Sequence, residues 1–431
     1  MAQGRKTTPA EPTGWDLWRA EQRADSGSQS MSLTARTRSW DVERSTGGNM
    51  IVADKLEEMA RASCGLEDFG SESYREGLEV LVSSLNQEAG LSMAGHDLVT
   101  GQLVSFLAGR LQIEDAYLQH PEIDEQQITA PLFVLGLPRT GSTALGALLG
   151  QDPDVRTLRV WEASSPCPPP EEATQRSDPR ISEAQARLDR MDEYIPALKT
   201  MVPVSATGPT ECLQLLGFAF RSGSFEAIAR VPSYTEWLLQ CDMVPAYRYH
   251  QRVLKLLQWH CPPRKWRLRT PAHMYAIDAL DAVYPDSRFV MTHRDVASVI
   301  PSVASLMSTL CSMAMEAPDP NYFGANCMKV WSTALHRTMD FRAEGRTSRF
   351  HDISFQDMQS ATNESIRGVY EWLGEGLSPE AASQMDRWRT ANARGKHGEH
   401  RYTPEEFGLT KEEIRSHFSF YTDRFSVPFD A

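Results

Sequence analysis

No stretch of the 431 residues approaches 18 consecutive apolar side chains, which argues against a membrane-spanning helix. The first 26 residues also lack the apolar core of a secretory leader, so none is expected. The seven cysteines (Cys64, Cys167, Cys212, Cys241, Cys261, Cys311 and Cys327) are odd in number, and no two show C-x-x-C spacing. That pattern speaks against a disulfide framework or a zinc site, and for reduced thiols in a cytoplasmic protein. Positive charge is short as well: 44 Lys+Arg stand against 57 Asp+Glu, a formal charge of −13. Without a positive field the chain as a whole suits neither nucleic acid nor an anionic membrane.

What is present is an ordinary globular composition. At 41% apolar residues the chain can bury a sizeable core, and its length allows two or three domains or one large α/β domain with additions. Residues 1–48 are poor in aliphatics and rich in Ser, Thr, Arg and Gly, the composition of a flexible tail. An N-terminal helical region is expected over 49–130. There Leu78, Leu81, Val82 and Leu85 follow helical spacing, as do Leu103, Leu107 and Leu111. The negative charge concentrates here, with 4 basic against 15 acidic side chains between 50 and 130, so the remainder is nearly balanced.

From 131 the pattern changes to short apolar runs alternating with helices. Strands are predicted at Pro131–Gly136, Trp266–Thr270, Arg288–Thr292 and Arg349–Ser354, with helices after the first, third and fourth. Such alternation implies an α/β fold with a parallel sheet covered on both faces. A helical insertion is expected at about 172–262, and its aromatics (Phe218, Phe220, Tyr234, Trp237, Tyr247 and Tyr249) read first as core. Thr410 and Glu413 form a capping box ahead of a final helix carrying Ile414, Phe418, Tyr421 and Phe425.

The most informative segment is the apolar run Pro131-Leu-Phe-Val-Leu entering Gly136-Leu-Pro-Arg-Thr-Gly-Ser-Thr143, with a helix behind it. Successive N–H groups at a helix N-terminus after a glycine turn cradle phosphate. The spacing mimics the nucleotide-triphosphatase loop, but Ser142 stands where that loop has its lysine, so phosphoryl chemistry on ATP is poorly supported. The loop's cation is Arg139 instead.

Pro138-Arg-Thr-Gly-Ser-Thr143 after a strand resembles the 5′-phosphosulfate loop of sulfotransferases that use 3′-phosphoadenosine-5′-phosphosulfate (PAPS). Trp161-Glu162 before a proline-rich turn, Leu268-Arg-Thr-Pro-Ala-His273, Tyr284-Pro-Asp286, Thr292-His-Arg-Asp295 and Arg394-Gly-Lys-His-Gly398 are similar to the microbial-type branch of that family. The resemblance implies a P-loop-like three-layer fold over 131–431, with PAPS as donor, no metal, and a small-molecule hydroxyl as acceptor. It assigns Pro138, Arg139, Thr140, Gly141, Ser142 and Thr143 to the 5′-phosphosulfate, and Arg294 with Ser302 to the 3′-phosphate. Arg394 and Lys396 would close over the same phosphate.

For the transfer itself, Arg139 is expected to act as an electrostatic clamp. A base must take the proton of the acceptor hydroxyl. His273 is the first candidate and Glu211, in Thr207-Gly-Pro-Thr-Glu211, the second. Arg269 and Val296 stand where the family pattern has lysine and proline, and an arginine there stabilises charge but moves no proton. The competing classes are a P-loop nucleotide kinase or phosphatase and a nucleotide-binding protein without catalysis.

Overall fold

The apolar runs do become strands. In the computed structural model, β1 (Leu132–Gly136), β2 (Val155–Thr157), β3 (Lys265–Arg269), β4 (Arg288–His293) and β5 (Phe350–Ser354) form one sheet in the order β2-β3-β1-β4-β5. Every pairing is parallel. The structure describes residues 50–430 except 202–203, 263–264 and 393–400. The tail expected at 1–48 and the loop residues Arg394 and Lys396 therefore lie outside the described residues.

All five residues of β1 are buried, as a continuous apolar run in the middle of a parallel sheet must be. After β1 the chain builds β2 and β3 on one side, then returns to build β4 and β5 on the other. The carboxyl end of β1 is thus the topological switch point, where open α/β sheets bind ligands.

β2 was not among the predicted strands. It is a three-residue edge strand whose middle residue is Arg156, which periodicity does not mark as buried. Arg156 is buried because its guanidinium pairs with the fully buried Glu162 at 2.9 Å and donates to the Leu257 carbonyl at 2.8 Å. The Trp161-Glu162 pair is in this way part of the scaffold. A second difference lies after β3, where a 3-10 turn (Pro271–Ala276) leads into a short helix (Ile277–Val283) that is not among the predicted ones.

The first helices of the described chain are α1 (Ala53–Cys64), α2 (Arg75–Glu88) and α3 (Met93–Gln119). The predicted leucine stripes on α2 and α3 are buried. Arg110 of α3 is fully buried and donates to the carbonyls of Phe69 (2.7 Å), Ser71 (2.8 Å) and Phe218 (3.1 Å), tying this region to the insertion. Insertion aromatics meet it there: Phe218 packs edge-on against Phe106 of α3 at 5.6 Å, and Phe220, Tyr234, Tyr247 and Tyr249 are buried. Trp237, read with them as core, is instead half-buried, and its indole N–H donates to Glu76 Oε1 at 3.3 Å.

On one sheet face, Leu132 and Val134 pack against Leu145, Leu148 and Leu149 of α4 (Ser142–Leu149) and against Ile366, Val369 and Tyr370. On the other, Phe133 faces His273 and Tyr284. α5 (Val296–Cys311) follows β4. The capping box at Thr410 and Glu413 is present, but the final helix is two, α6 (Lys411–His417) and α7 (Ser419–Phe425), broken at Phe418. Among the described residues no helix is long and apolar enough to cross a membrane.

Candidate active site

β1 ends at Gly136, whose φ of 115° opens the turn. The register sets Gly136 opposite Thr292 of β4, and a Cβ there would lie 2.4 Å from the Thr292 carbonyl oxygen. Only glycine fits, and the chain is forced into a sharp loop above the sheet. Arg139 follows with φ 67°, a left-handed conformation costing a non-glycine residue about 1–2 kcal/mol. Strain of this kind persists where the surroundings over-determine it, and it marks functional loops. Gly141 (φ 92°) then begins α4, whose first turn has no side-chain cap. Uncapped N–H groups at the switch point form a site for an anion.

The loop's side chains divide into two groups. Thr140 is fully buried; its Oγ1 donates to the Leu137 carbonyl and contacts Thr292 Oγ1, each at 2.6 Å. That hydroxyl braces the loop from beneath. Pro138 and Gly141 are half-buried, and Ser142 is buried at the start of α4. Thr143 is exposed, and its Oγ1 accepts from Arg269 Nη1 at 3.2 Å.

Arg139 turns toward α5. Its Nε donates to Ser302 Oγ at 3.3 Å and its Nη1 to the Met201 carbonyl at 2.6 Å. Arg294, from the end of β4, donates through Nη1 to the Arg139 carbonyl at 3.0 Å. Desolvation by burial, with the nearby Arg294 charge, lowers the pKa of the Arg139 guanidinium, while the neighbouring Tyr402 acts the other way. The structure thus brings Arg139, Arg294 and Ser302 together although more than 150 residues separate the loop from the other two. Asp295 is not paired with Arg294: it caps α5 through Ala297 N (3.0 Å) and binds Arg415 at 2.6 Å.

Phe355, just past β5, was missed from sequence. Its ring lies 4.0 Å from Arg294 Cζ, and its edge would be 3.4 Å from a Cβ on Gly141, so it bridges the two halves of the site. Its position at the carboxyl end of a predicted strand is the signal that could have found it.

On the β3 side, Arg269 Nη1 binds Glu211 Oε1 at 3.0 Å, and Thr270 Oγ1 donates to Glu211 Oε2 at 2.9 Å. The Glu211 side chain is 32% exposed, open enough to meet a ligand. Gly146 of α4 leaves room for this arrangement, since a Cβ there would lie 2.8 Å from Arg269 Cδ. Thr143, Arg269 and Glu211 therefore form one chain from the loop to a carboxylate.

His273 sits elsewhere. It is fully buried in the 3-10 turn, with Nδ1 2.8 Å from the Tyr247 hydroxyl and its ring edge-on to Phe133 at 4.9 Å. Burial, with the neighbouring His250, pushes its pKa well below the usual value, so the ring is neutral. Its Nε2 is buried and has no hydrogen-bond partner among the described residues.

The family model described as "Sulfotransferase family" matches residues 131–379. Two solved structures are similar over most of the chain. Sulfotransferase STF1 from Mycobacterium tuberculosis H37Rv is 34% identical, with a TM-score of 0.78 over 86% of this chain and 99% of its own. Sulfotransferase STF9 from Mycobacterium avium is 31% identical, with a TM-score of 0.81 over 90% of this chain and 100% of its own. The omega-hydroxy-beta-dihydromenaquinone-9 sulfotransferase Stf3 of Mycobacterium bovis is 26% identical over 268 residues, 57% of this chain. The chain spans 63% of that relative's length.

Proposed function

Because the chain belongs to the sulfotransferase family, we propose that it moves a sulfuryl group from PAPS to a hydroxyl of a small-molecule acceptor. The observation that carries the donor assignment is the convergence of Arg139, Arg294 and Ser302 beside the uncapped start of α4. Two buried or half-buried guanidinium groups next to a phosphate loop suit a nucleotide with two separate phosphates.

When bound, the donor supplies an activated sulfuryl group on a 5′-phosphate leaving group. The N–H groups of the loop and of Ser142 and Thr143 hold that 5′-phosphate, with Thr143 adding its exposed hydroxyl. Arg294 and Ser302 take the 3′-phosphate. Arg139, bonded to Ser302, contributes charge between the two phosphate positions and stabilises the leaving group. Arg394 and Lys396 remain proposed phosphate contacts on the resemblance alone.

Glu211 is the base in this reading, ahead of His273. It is accessible, Arg269 and Thr270 orient it, and it adjoins the loop through Arg269 and Thr143. Arg269 and Thr270 hold the carboxylate in position, while a buried neutral His273 has no exposed edge to offer an acceptor. The Stf3 relative supports a lipophilic omega-hydroxy menaquinone as the first acceptor to try. Seven cysteines, none bonded to another, fit a reducing cytoplasm.

The test is transfer of labelled sulfuryl from PAPS to a panel of hydroxyl acceptors, with Arg139→Ala in parallel. Transfer by the wild type and its loss in the variant are expected. ATP turnover with no PAPS turnover would replace this reading with the kinase class.

A further inference from the structure

Arg294 already has an anion. Its Nε donates to Asp430 Oδ2 at 2.8 Å, from a residue 136 positions further along the chain. The segment carrying Asp430 is docked at several points. The Asp430 N–H donates to Asp295 Oδ2 at 3.0 Å, and Arg415 Nη2 donates to the same carboxylate at 2.6 Å. The Arg415 guanidinium lies 4.1 Å from the Phe429 ring centroid. Upstream, the Tyr421 hydroxyl contacts His293 Nδ1 at 3.1 Å, and Phe425 stacks on His293 at 4.5 Å. The strap from α6 to Asp430 therefore lies across the carboxyl end of β4, beside Arg294 and Asp295.

The charges are matched one to one. Asp295 is bound by Arg415, whereas the Arg294 charge is met by Asp430. Phe355 covers a face of the Arg294 guanidinium, and the Arg139 carbonyl takes Nη1. The Nε edge, which forks onto carboxylates and phosphates, is occupied by a carboxylate. A phosphate arriving at Arg294 meets a like charge already in place and must displace it or share the guanidinium at an electrostatic cost.

We propose that Asp430 is a built-in counter-anion of the 3′-phosphate subsite. Its carboxylate holds Arg294 until the 3′-phosphate of the donor displaces it, and it recaptures Arg294 as the spent nucleotide, 3′-phosphoadenosine-5′-phosphate (PAP), departs. The competition lowers affinity for donor and product alike and speeds product release. This rests on the assignment of Arg294 to the 3′-phosphate made above.

The experiment is calorimetric titration of the full chain and of Asp430→Asn with PAP and with 5′-AMP, which lacks the 3′-phosphate. Asparagine keeps the size of the side chain and the backbone hydrogen bond to Asp295 while removing the charge. PAP should bind roughly three- to tenfold tighter to the variant, with AMP affinity changed by less than about twofold. Unchanged or weaker PAP binding, or equal tightening of AMP, overturns the proposal, and weaker binding would make Asp430 a positioning residue for Arg294. Arg294→Ala separates the two ideas. If the wild type prefers PAP and Arg294→Ala loses that preference, the donor site stands whatever Asp430→Asn does. If the wild type binds PAP and AMP equally, the donor site falls and the counter-anion role falls with it.

Discussion

Arg269 and Glu211 form an ion pair at 3.0 Å, and the same Arg269 nitrogen reaches Thr143 of the phosphate loop at 3.2 Å. A half-buried carboxylate and a loop hydroxyl thus share one guanidinium. The arginine fixes the carboxylate relative to the loop, which in the proposed reading sets the distance of the base from the site of transfer. Where the family pattern has lysine, the arginine supplies a fixed, always-charged group that binds both partners at once.

Replacing the base while keeping its shape should separate chemistry from binding. Glu211→Gln is expected to lower kcat about 100- to 10,000-fold while PAP affinity stays near wild type. His273→Gln should instead act on the fold, costing about 1–3 kcal/mol by disturbing the buried bond to Tyr247, with the pH dependence of kcat unmoved. Steady-state rates and urea unfolding of the two variants distinguish these roles. A rate collapse confined to His273→Gln would reverse the assignment.

The two loop threonines should behave differently although three residues apart. Thr140→Val removes buried hydrogen bonds to Leu137 and Thr292 and should cost about 1–2 kcal/mol of stability. Thr143→Val removes an exposed hydroxyl whose donor, Arg269 Nη1, keeps Glu211 as a partner, so stability should stay near wild type while donor binding weakens. Thermal melts and PAP titration of both variants check the contrast.

Stability should fall on mild acidification. His250 is buried with Nδ1 2.7 Å from the Tyr284 hydroxyl, and desolvation pushes its pKa from 6.5 down to about 3. Below pH 6.5 the unfolded chain takes up a proton that the folded chain refuses. The stability present above that pH is lost progressively as pH falls toward 3. From this one group the loss is about 2 kcal/mol between pH 7 and 5. His273 is shifted in the same direction and steepens the fall. His250→Asn should flatten the dependence of urea midpoint on pH over that range; an unchanged slope would show the group is not buried neutral.

Local signals in the chain were legible. The run Leu132–Gly136 with its loop, the Thr410–Glu413 box and the leucine stripes of α2 and α3 each carry their own period or cap. β2 was not, because Arg156 becomes a buried strand residue only once Glu162 neutralises it. The sequence ranks His273 ahead of Glu211 as the candidate base. Burial, which spacing does not show, reverses that order in the proposed reading, since His273 is fully buried and Glu211 is accessible. Phe355 and Asp430 reach Arg294 only through the tertiary fold, from 61 and 136 residues away, so spacing rules are silent about them.

The proposed donor site has a separate place for a 3′-phosphate, formed by Arg294 and Ser302 beside the Arg139 loop. Its most direct test is the ratio of PAP to 5′-AMP dissociation constants in the wild type and in Arg294→Ala. The wild type should prefer PAP by at least about tenfold, the equivalent of one charge-assisted phosphate contact. Arg294→Ala should bring the two nucleotides close to equal. A wild type that binds both nucleotides alike, or an Arg294→Ala variant that keeps the full preference, would contradict it.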